Sequence, residues 1–294
     1  MLHVRTAFHV THMVRDVHAA IRRYEEVFQP PIVPPSYHAG EDRDAAFAFV
    51  SDAYIELFAS RDANATAPAS NGGRHIKRYG EGLANFGWLI DDEIAAAIAF
   101  CEARGYRPMY VGGPEQSAFF FHPRQAYGIM LEIMNGAIHH DPRNQPGWAA
   151  RWRDEQPLGI ERLNCVTYAV RDLEGAIAFL QGLTEAPVVY RGADNAAGKE
   201  SAYLWVEDHL IELAQPLAED TELGRSVQRE GPKIHSVTFK VKSLKQVADY
   251  LREKDIAVLG REESGSLMLA PAAMLGAKYS FSERTIPNDP RGSH

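Results

Sequence analysis

Apolar and polar residues alternate along four short segments of the 294-residue chain, and the four can be laid in register. They are His9-Val-Thr-His-Met-Val-Arg-Asp16, Asn85-Phe-Gly-Trp-Leu-Ile-Asp-Asp92, Cys165-Val-Thr-Tyr-Ala-Val-Arg-Asp172 and Ser236-Val-Thr-Phe-Lys-Val-Lys-Ser243. Each predicts a strand, with Val or Ile five residues after its first position. A helical pattern follows each one, with apolar residues at i, i+3, i+4 and i+7. The stripes are Val17, Ala20, Ile21, Tyr24; Ile94, Ala97, Ile98, Cys101; Leu173, Ala176, Ile177, Leu180; and Leu244, Val247, Ala248, Leu251. Asp16, Asp92 and Asp172 precede three of these helices and suit a cap or first-turn role, where a carboxylate meets unpaired N–H groups, and Ser243 suits the fourth.

Each copy ends in a strand-rich phrase: Tyr54-Ile-Glu-Leu-Phe58, Met130-Leu-Glu-Ile-Met134, Leu210-Ile-Glu-Leu-Ala214 and Lys278-Tyr-Ser-Phe-Ser282. The separation is 47 residues from His9 to Glu56, from Asn85 to Glu132 and from Cys165 to Glu212, and 44 from Ser236 to Ser280. A spacing held three times over degenerate sequence marks an internal repeat. The expected fold is α+β: four βαβββ units in two tandem domains, residues 1–138 and 158–286. A linker over 139–157 and a tail over 287–294 complete the chain. Residues 63–73 and 192–198 read as loose connections.

Length and a 45% hydrophobic content agree with two cored domains. Cys101 and Cys165 alone cannot make a disulfide framework or a multi-cysteine zinc site. A net charge of -8 argues against nucleic-acid partners, and the short basic run Arg151-Trp-Arg153 is followed at once by Asp154 and Glu155. No stretch approaches 18 apolar residues, and the N-terminus lacks a basic-then-apolar layout, so no membrane partner and a cytoplasmic location are expected.

The opening phrase around His9, with Val14, Asp16 and the Ile-Glu56-Leu phrase, resembles the first unit of glyoxalases, bleomycin-resistance proteins and extradiol dioxygenases, the vicinal oxygen chelate superfamily. Residues 82–92 resemble that family's second unit, which usually has His where this chain has Asn85. Residues 121–132 are similar to the last strands of methylmalonyl-CoA epimerases. The likeness spans residues 5 to about 285 as four weak motifs. It implies that each pair of units rolls into a glyoxalase-like half-barrel whose strands present metal ligands into a cleft. Strand alternation puts His9, Thr11 and Met13 on one face and Val10, His12 and Val14 on the other, so packing of Val14 on the helix would aim His9 inward.

Carried over by position, the first pair supplies His9, Glu56, Asn85 and Glu132, and the second Cys165, Glu212, Ser236 and Ser280. The first set suits one divalent ion (Fe, Mn, Zn, Ni or Co), although an amide oxygen at Asn85 is a poorer ligand than imidazole. The second set suits none, and Glu212 reads as a salt-bridged relic. Pairing of the first unit with the fourth would instead bring His235 to His9 and Glu56. The resemblance implies a lyase or isomerase/epimerase acting on a small molecule that chelates the ion through adjacent oxygens, with Glu56 or Glu132 as the base. A ring-cleaving dioxygenase and a non-catalytic small-molecule binder are the alternatives. Thr11, Met13, His122 and Tyr127 are candidate substrate contacts, with cleft wall drawn from residues 119–121 and specificity from loops 32–44 and 111–117. His12 reads as a packed imidazole and the pair His139-His140 as exposed linker. Whether domains pair within the chain or across a homodimer is open.

Overall fold

The computed structural model describes residues 1–110, 117–136, 138, 141–262 and 265–292. His139, His140 and most of the 111–117 loop lie outside the described residues. The first half runs β1 (Val4–Met13), α1 (Val17–Val27), β2 (Ile32–His38), β3 (Arg43–Val50), β4 (Ala53–Ser60), α2 (Asn71–Tyr79), β5 (Gly82–Ile90), α3 (Ile94–Ala103), β6 (Pro108–Tyr110), β7 (Ala118–Phe121) and β8 (Leu131–Met134). A short turn of helix, α4 (Trp148–Ala150), leads to the second half. That half repeats the order with β9 (Ile160–Ala169), α5 (Leu173–Thr184), β10 (Val188–Asp194), β11 (Lys199–Val206), β12 (His209–Pro216), α6 (Glu222–Glu230), β13 (Lys233–Val241), α7 (Leu244–Glu253), β14 (Val258–Arg261), β15 (Ser266–Leu269) and β16 (Tyr279–Ser282).

Two eight-stranded sheets result, ordered β2-β3-β4-β1-β5-β8-β7-β6 and β10-β11-β12-β9-β13-β16-β15-β14. These are the four βαβββ units of an α+β, tandem glyoxalase-like fold. Units join through the antiparallel pairs β1–β5 and β9–β13, so first pairs with second and third with fourth. The alternative of first with fourth falls: His235 sits at an irregularity of β13 and contacts Lys278, in its own half.

The helices form where the stripes require. Val17, Ala20 and Tyr24 are buried on α1, as are Leu173, Ala176, Ile177 and Leu180 on α5. Asp16, Asp172 and Ser243 cap their helices through side-chain oxygens. Asp92 does not cap. α3 starts one residue later, after Glu93, and the Asp92 carboxylate turns to the backbone and ring of His3. α2 and α6 were not expected, and α2 begins inside the supposed loose segment 63–73. They carry short apolar faces but have clear ends, with Ser70 and Thr221 accepting backbone N–H groups at the start and Gly80 and Gly231 at positive φ after the last turn.

The halves share one continuous core. Phe28 at the end of α1 packs edge-on to Tyr279 of the second sheet at 5.5 Å, and Phe179 of α5 packs on Phe121 of the first at 5.3 Å. The connecting segment and the tail are packed as well. Trp148 and Trp152 are buried, and the Trp148 indole donates to Ser51 O at 2.8 Å. Each half also ends in the same clamp. In Asp141-Pro142-Arg143, the arginine pairs with its own aspartate at 2.7 Å and donates to Asp52 O at 3.0 Å. In Asp289-Pro290-Arg291, it pairs at 3.0 Å and donates to Leu163 O at 2.7 Å.

Candidate active site

An irregularity in β1 aims the key imidazole. Pairing with β5 runs Ala7↔Trp88 and then Val10↔Phe86, so Phe8 and His9 together face Gly87 alone. Such a bulge re-aims a side chain, and glycine leaves it room: a Cβ at position 87 would lie 3.0 Å from His9 Cε1 and Nδ1, and the ring would have to give. On the opposite face, His12 is fully buried beneath α1, taking part in hydrogen bonds with Tyr24 OH at 2.9 Å and Leu275 O at 3.0 Å, as a packed imidazole should.

Neighbouring strands bring the carboxylates to His9. Its Nε2 is 3.1 Å from Glu132 Oε2 and 3.6 Å from Glu56 Oε2. His9 is 3% exposed, and neither ring nitrogen has a well-aligned hydrogen bond, because Glu132 lies near Nε2 but off the line of its N–H. Burial opposes the imidazolium, yet Glu132 and Glu56 outweigh it and raise the His9 pKa. The Asn85 amide donates to Glu132 Oε2 at 3.2 Å. Glu56 is held from two sides, by Thr11 Oγ1 at 2.8 Å and by Arg43 Nη1 at 2.7 Å.

Arg43 lies at the start of β3, its guanidinium 4.5 Å over the Phe58 ring and also paired with Glu41 at 2.7 Å. It was missed from the sequence. In the second half Lys199 occupies the same place, 156 residues on, and ion-pairs with Glu212 at 2.5 Å. A basic residue 13 positions before Glu56 and before Glu212 was the available signal. The cleft wall is aromatic: Tyr54 stacks between Phe8 at 5.5 Å and Phe47 at 4.8 Å, and Phe120 sits opposite Glu132 on β7. Phe119 and Phe121, on the other face of β7, are core.

Of the candidate residues, the structure thus brings together His9, Thr11, Glu56, Asn85 and Glu132. Met13 lies farther along the same face of β1, beside Phe58 and Gly82. His122 and Tyr127 do not join them. His122 Nδ1 accepts the Arg124 N–H in the turn after β7, and the Tyr127 ring, 40% exposed, lies against Gly175 of α5. Tyr127 thus faces the second half, while His122 is engaged within its own turn.

In the second cleft Glu212 is enclosed by Lys199, Thr167 at 2.6 Å, Ser201 at 2.7 Å and Tyr203 at 2.9 Å. Burial works to raise its pKa, but Lys199 and the hydroxyls hold it at about 2. The carboxylate is a buried, fully partnered ion-pair member.

In type, the donor set of the first cleft suits a divalent ion. Two donors each about 2.1 Å from one ion, at tetrahedral to octahedral angles, stand about 3.0–3.4 Å apart, close to the two contacts of His9 Nε2. The imidazole has no competing hydrogen bond, and two carboxylates supply the charge. Among the described residues no three such side chains already stand as a closed metal cluster; Arg43 and Thr11 draw Glu56 aside, and Asn85 turns its NH2 toward Glu132.

The family model of the glyoxalase/bleomycin resistance protein/dioxygenase superfamily matches residues 8–121. Among solved structures, a triple mutant of 4-hydroxymandelate synthase from Streptomyces coelicolor is 12% identical, with a TM-score of 0.68 over 99% of this chain and 96% of that one. Methylmalonyl-CoA epimerase from Mycobacterium tuberculosis is 20% identical, with a TM-score of 0.41 over 45% of this chain and 93% of that one. A search of curated proteins returned no match. Residues 8–121 thus match the sequence pattern of the glyoxalase/bleomycin resistance protein/dioxygenase superfamily, and the whole length of the chain shares the fold of 4-hydroxymandelate synthase.

Proposed function

We propose that the first cleft holds one divalent cation on His9, Glu56 and Glu132, and that the protein is an isomerase or lyase that forms an enolate from a small, oxygen-chelating carbonyl compound. The observation that carries this is the buried His9 Nε2, short of aligned partners and flanked by two carboxylates. When bound, such an ion polarises a carbonyl and stabilises the developing enolate. The chain's own residues do the rest. Glu132, tied by one amide and facing Phe120, is the freer carboxylate and takes the proton from the carbon beside the carbonyl. Glu56 stays fixed between Arg43 and Thr11. Asn85 orients Glu132, while Phe8, Phe47 and Tyr54 keep water from the reacting carbon. Burial pushes the Tyr54 hydroxyl up to about 12, so it stays a neutral donor.

The ring-cleaving alternative has no support in the second cleft, where positions 165, 236 and 280 are Cys, Ser and Ser and Glu212 is enclosed. The test is proton exchange in D2O, followed by NMR across a panel of 2-substituted 3-oxo acids and their thioesters, with cobalt or zinc added. Exchange that is lost in Glu132→Gln and His9→Ala supports the assignment. Ligand binding without exchange in any compound would overturn it in favour of a binding protein.

A further inference from the structure

We infer that Asp208 and His209, carried by the second half, are positioning residues for His9 in the first. The second half then does more than fill space beside the active cleft. Asp208 sits at the tip between β11 and β12 and reaches across to β1. Its Oδ1 accepts the Ala7 N–H at 3.0 Å and its Oδ2 the Thr6 hydroxyl at 2.5 Å. His209 Nδ1 lies 2.8 Å from Asp208 Oδ1, and its Nε2 accepts the Trp88 indole N–H at 2.9 Å. Trp88 is the β5 residue paired with Ala7. The two side chains therefore close a ring of hydrogen bonds around the last regular pair before the bulge that turns His9 inward. His209 is buried, with its ring 5.1 Å from Phe86, the residue at which pairing resumes beyond the bulge.

Comparison with the other half separates positioning from plain packing. The chain is its own pseudo-symmetric partner: Asp52, 156 residues before Asp208, reaches back and accepts the Leu163 N–H, and Leu163 is the counterpart of Ala7. β9 has an equivalent bulge at Asn164. There the relay is missing. Ala53 stands where His209 stands, and Phe239 pairs with Leu163 where Trp88 pairs with Ala7. The clamp on a backbone N–H is present on both sides, but the imidazole–indole extension exists only on the side whose bulge aims a histidine. On the other side the bulge serves Cys165.

Asp208 is 45% exposed, so its loss is a gentle perturbation, and Asp52→Ala supplies a matched control that cuts the reciprocal bond. This rests on His9 being a site residue, but its accessibility is read without substrate or metal: carbethoxylation by diethyl pyrocarbonate, followed peptide by peptide in a mass spectrometer, with buried His12 as the internal reference. Removing a charge-assisted bond to the Ala7 N–H raises the open population, so Asp208→Ala should speed His9 modification roughly five- to tenfold. His209→Phe, which keeps the bulk and breaks the relay, should do the same. Asp52→Ala should leave the His9 rate within about twofold of wild type. Cobalt titration gives a second readout, with affinity lowered in Asp208→Ala and kept in Asp52→Ala. Unchanged His9 reactivity in both Asp208→Ala and His209→Phe, or an equal rise in Asp52→Ala, would overturn the inference. Wild-type protein that takes up no cobalt counts against the proposed function alone.

Discussion

Replacing Arg43 by Met removes the cation from one side of Glu56, and the outcome depends on whether another cation can take its place. The pair is buried, with side-chain exposures of 12% and 7%. Removing one partner of such a pair costs about 3–5 kcal/mol, because the remaining charge is left uncompensated. Thr11 stays as a neutral donor to Glu56, so the lower end, about 3 kcal/mol, is the better figure for Arg43→Met. At about 2 °C per kcal/mol for a chain of this size, the melting temperature in chelator should fall by about 6 °C. If His9, Glu56 and Glu132 take up a divalent ion, that ion supplies the missing charge, and saturating cobalt should return most of the loss. Lys199→Met strips Glu212 in the same way, yet Cys165, Ser236 and Ser280 give an ion nothing comparable to hold. Cobalt should not rescue it. The assay is thermal unfolding of both variants with and without cobalt. Equal losses for Arg43→Met in chelator and cobalt, or rescue of Lys199→Met, would refute the reasoning.

Two further outcomes follow from the geometry. Burial holds His12 down at about 4, so between pH 6.5 and 4 the unfolded chain binds a proton that the folded chain refuses. Stability present above pH 6.5 is therefore lost as pH falls through that window, by at most about 3 kcal/mol; denaturant titrations at pH 7 and 4.5 should show a smaller acid loss in His12→Gln than in wild type. Gly87→Ala places a Cβ 3.0 Å from the His9 ring, and calorimetric cobalt titration should show an affinity about tenfold lower with little change in the unfolding midpoint.

The frame of this fold is legible in the sequence because strand and helix periods are local. The 47-residue spacing could be counted, and parity along β1 correctly sends His9 and Thr11 to one side and His12 to the other. What escaped depends on how distant chain returns. Arg43 reads as part of the loop 32–44 until the β3–β4 hairpin lays it against Glu56. The bulge at His9 is set by β5 and by Asp208, neither of which is near it in sequence. His122 and Tyr127 were named from a strand phrase whose turn folds toward α5. α2 and α6 bury too few apolar side chains to leave a stripe, although their capping residues were in view. Asp-Pro-Arg at 141–143 and 289–291 was a readable repeat as well, hidden because both copies fell in segments expected to be linker and tail.

The central claim is that side chains 9, 56 and 132 form one cation site in one half only. Equilibrium uptake of cobalt by the chelator-stripped protein, with bound metal counted against protein, tests it most directly. The account requires one ion per chain, abolished in His9→Ala and retained in Cys165→Ala, which alters the matching position of the second cleft. No uptake, two ions per chain, or one ion that survives His9→Ala would contradict it.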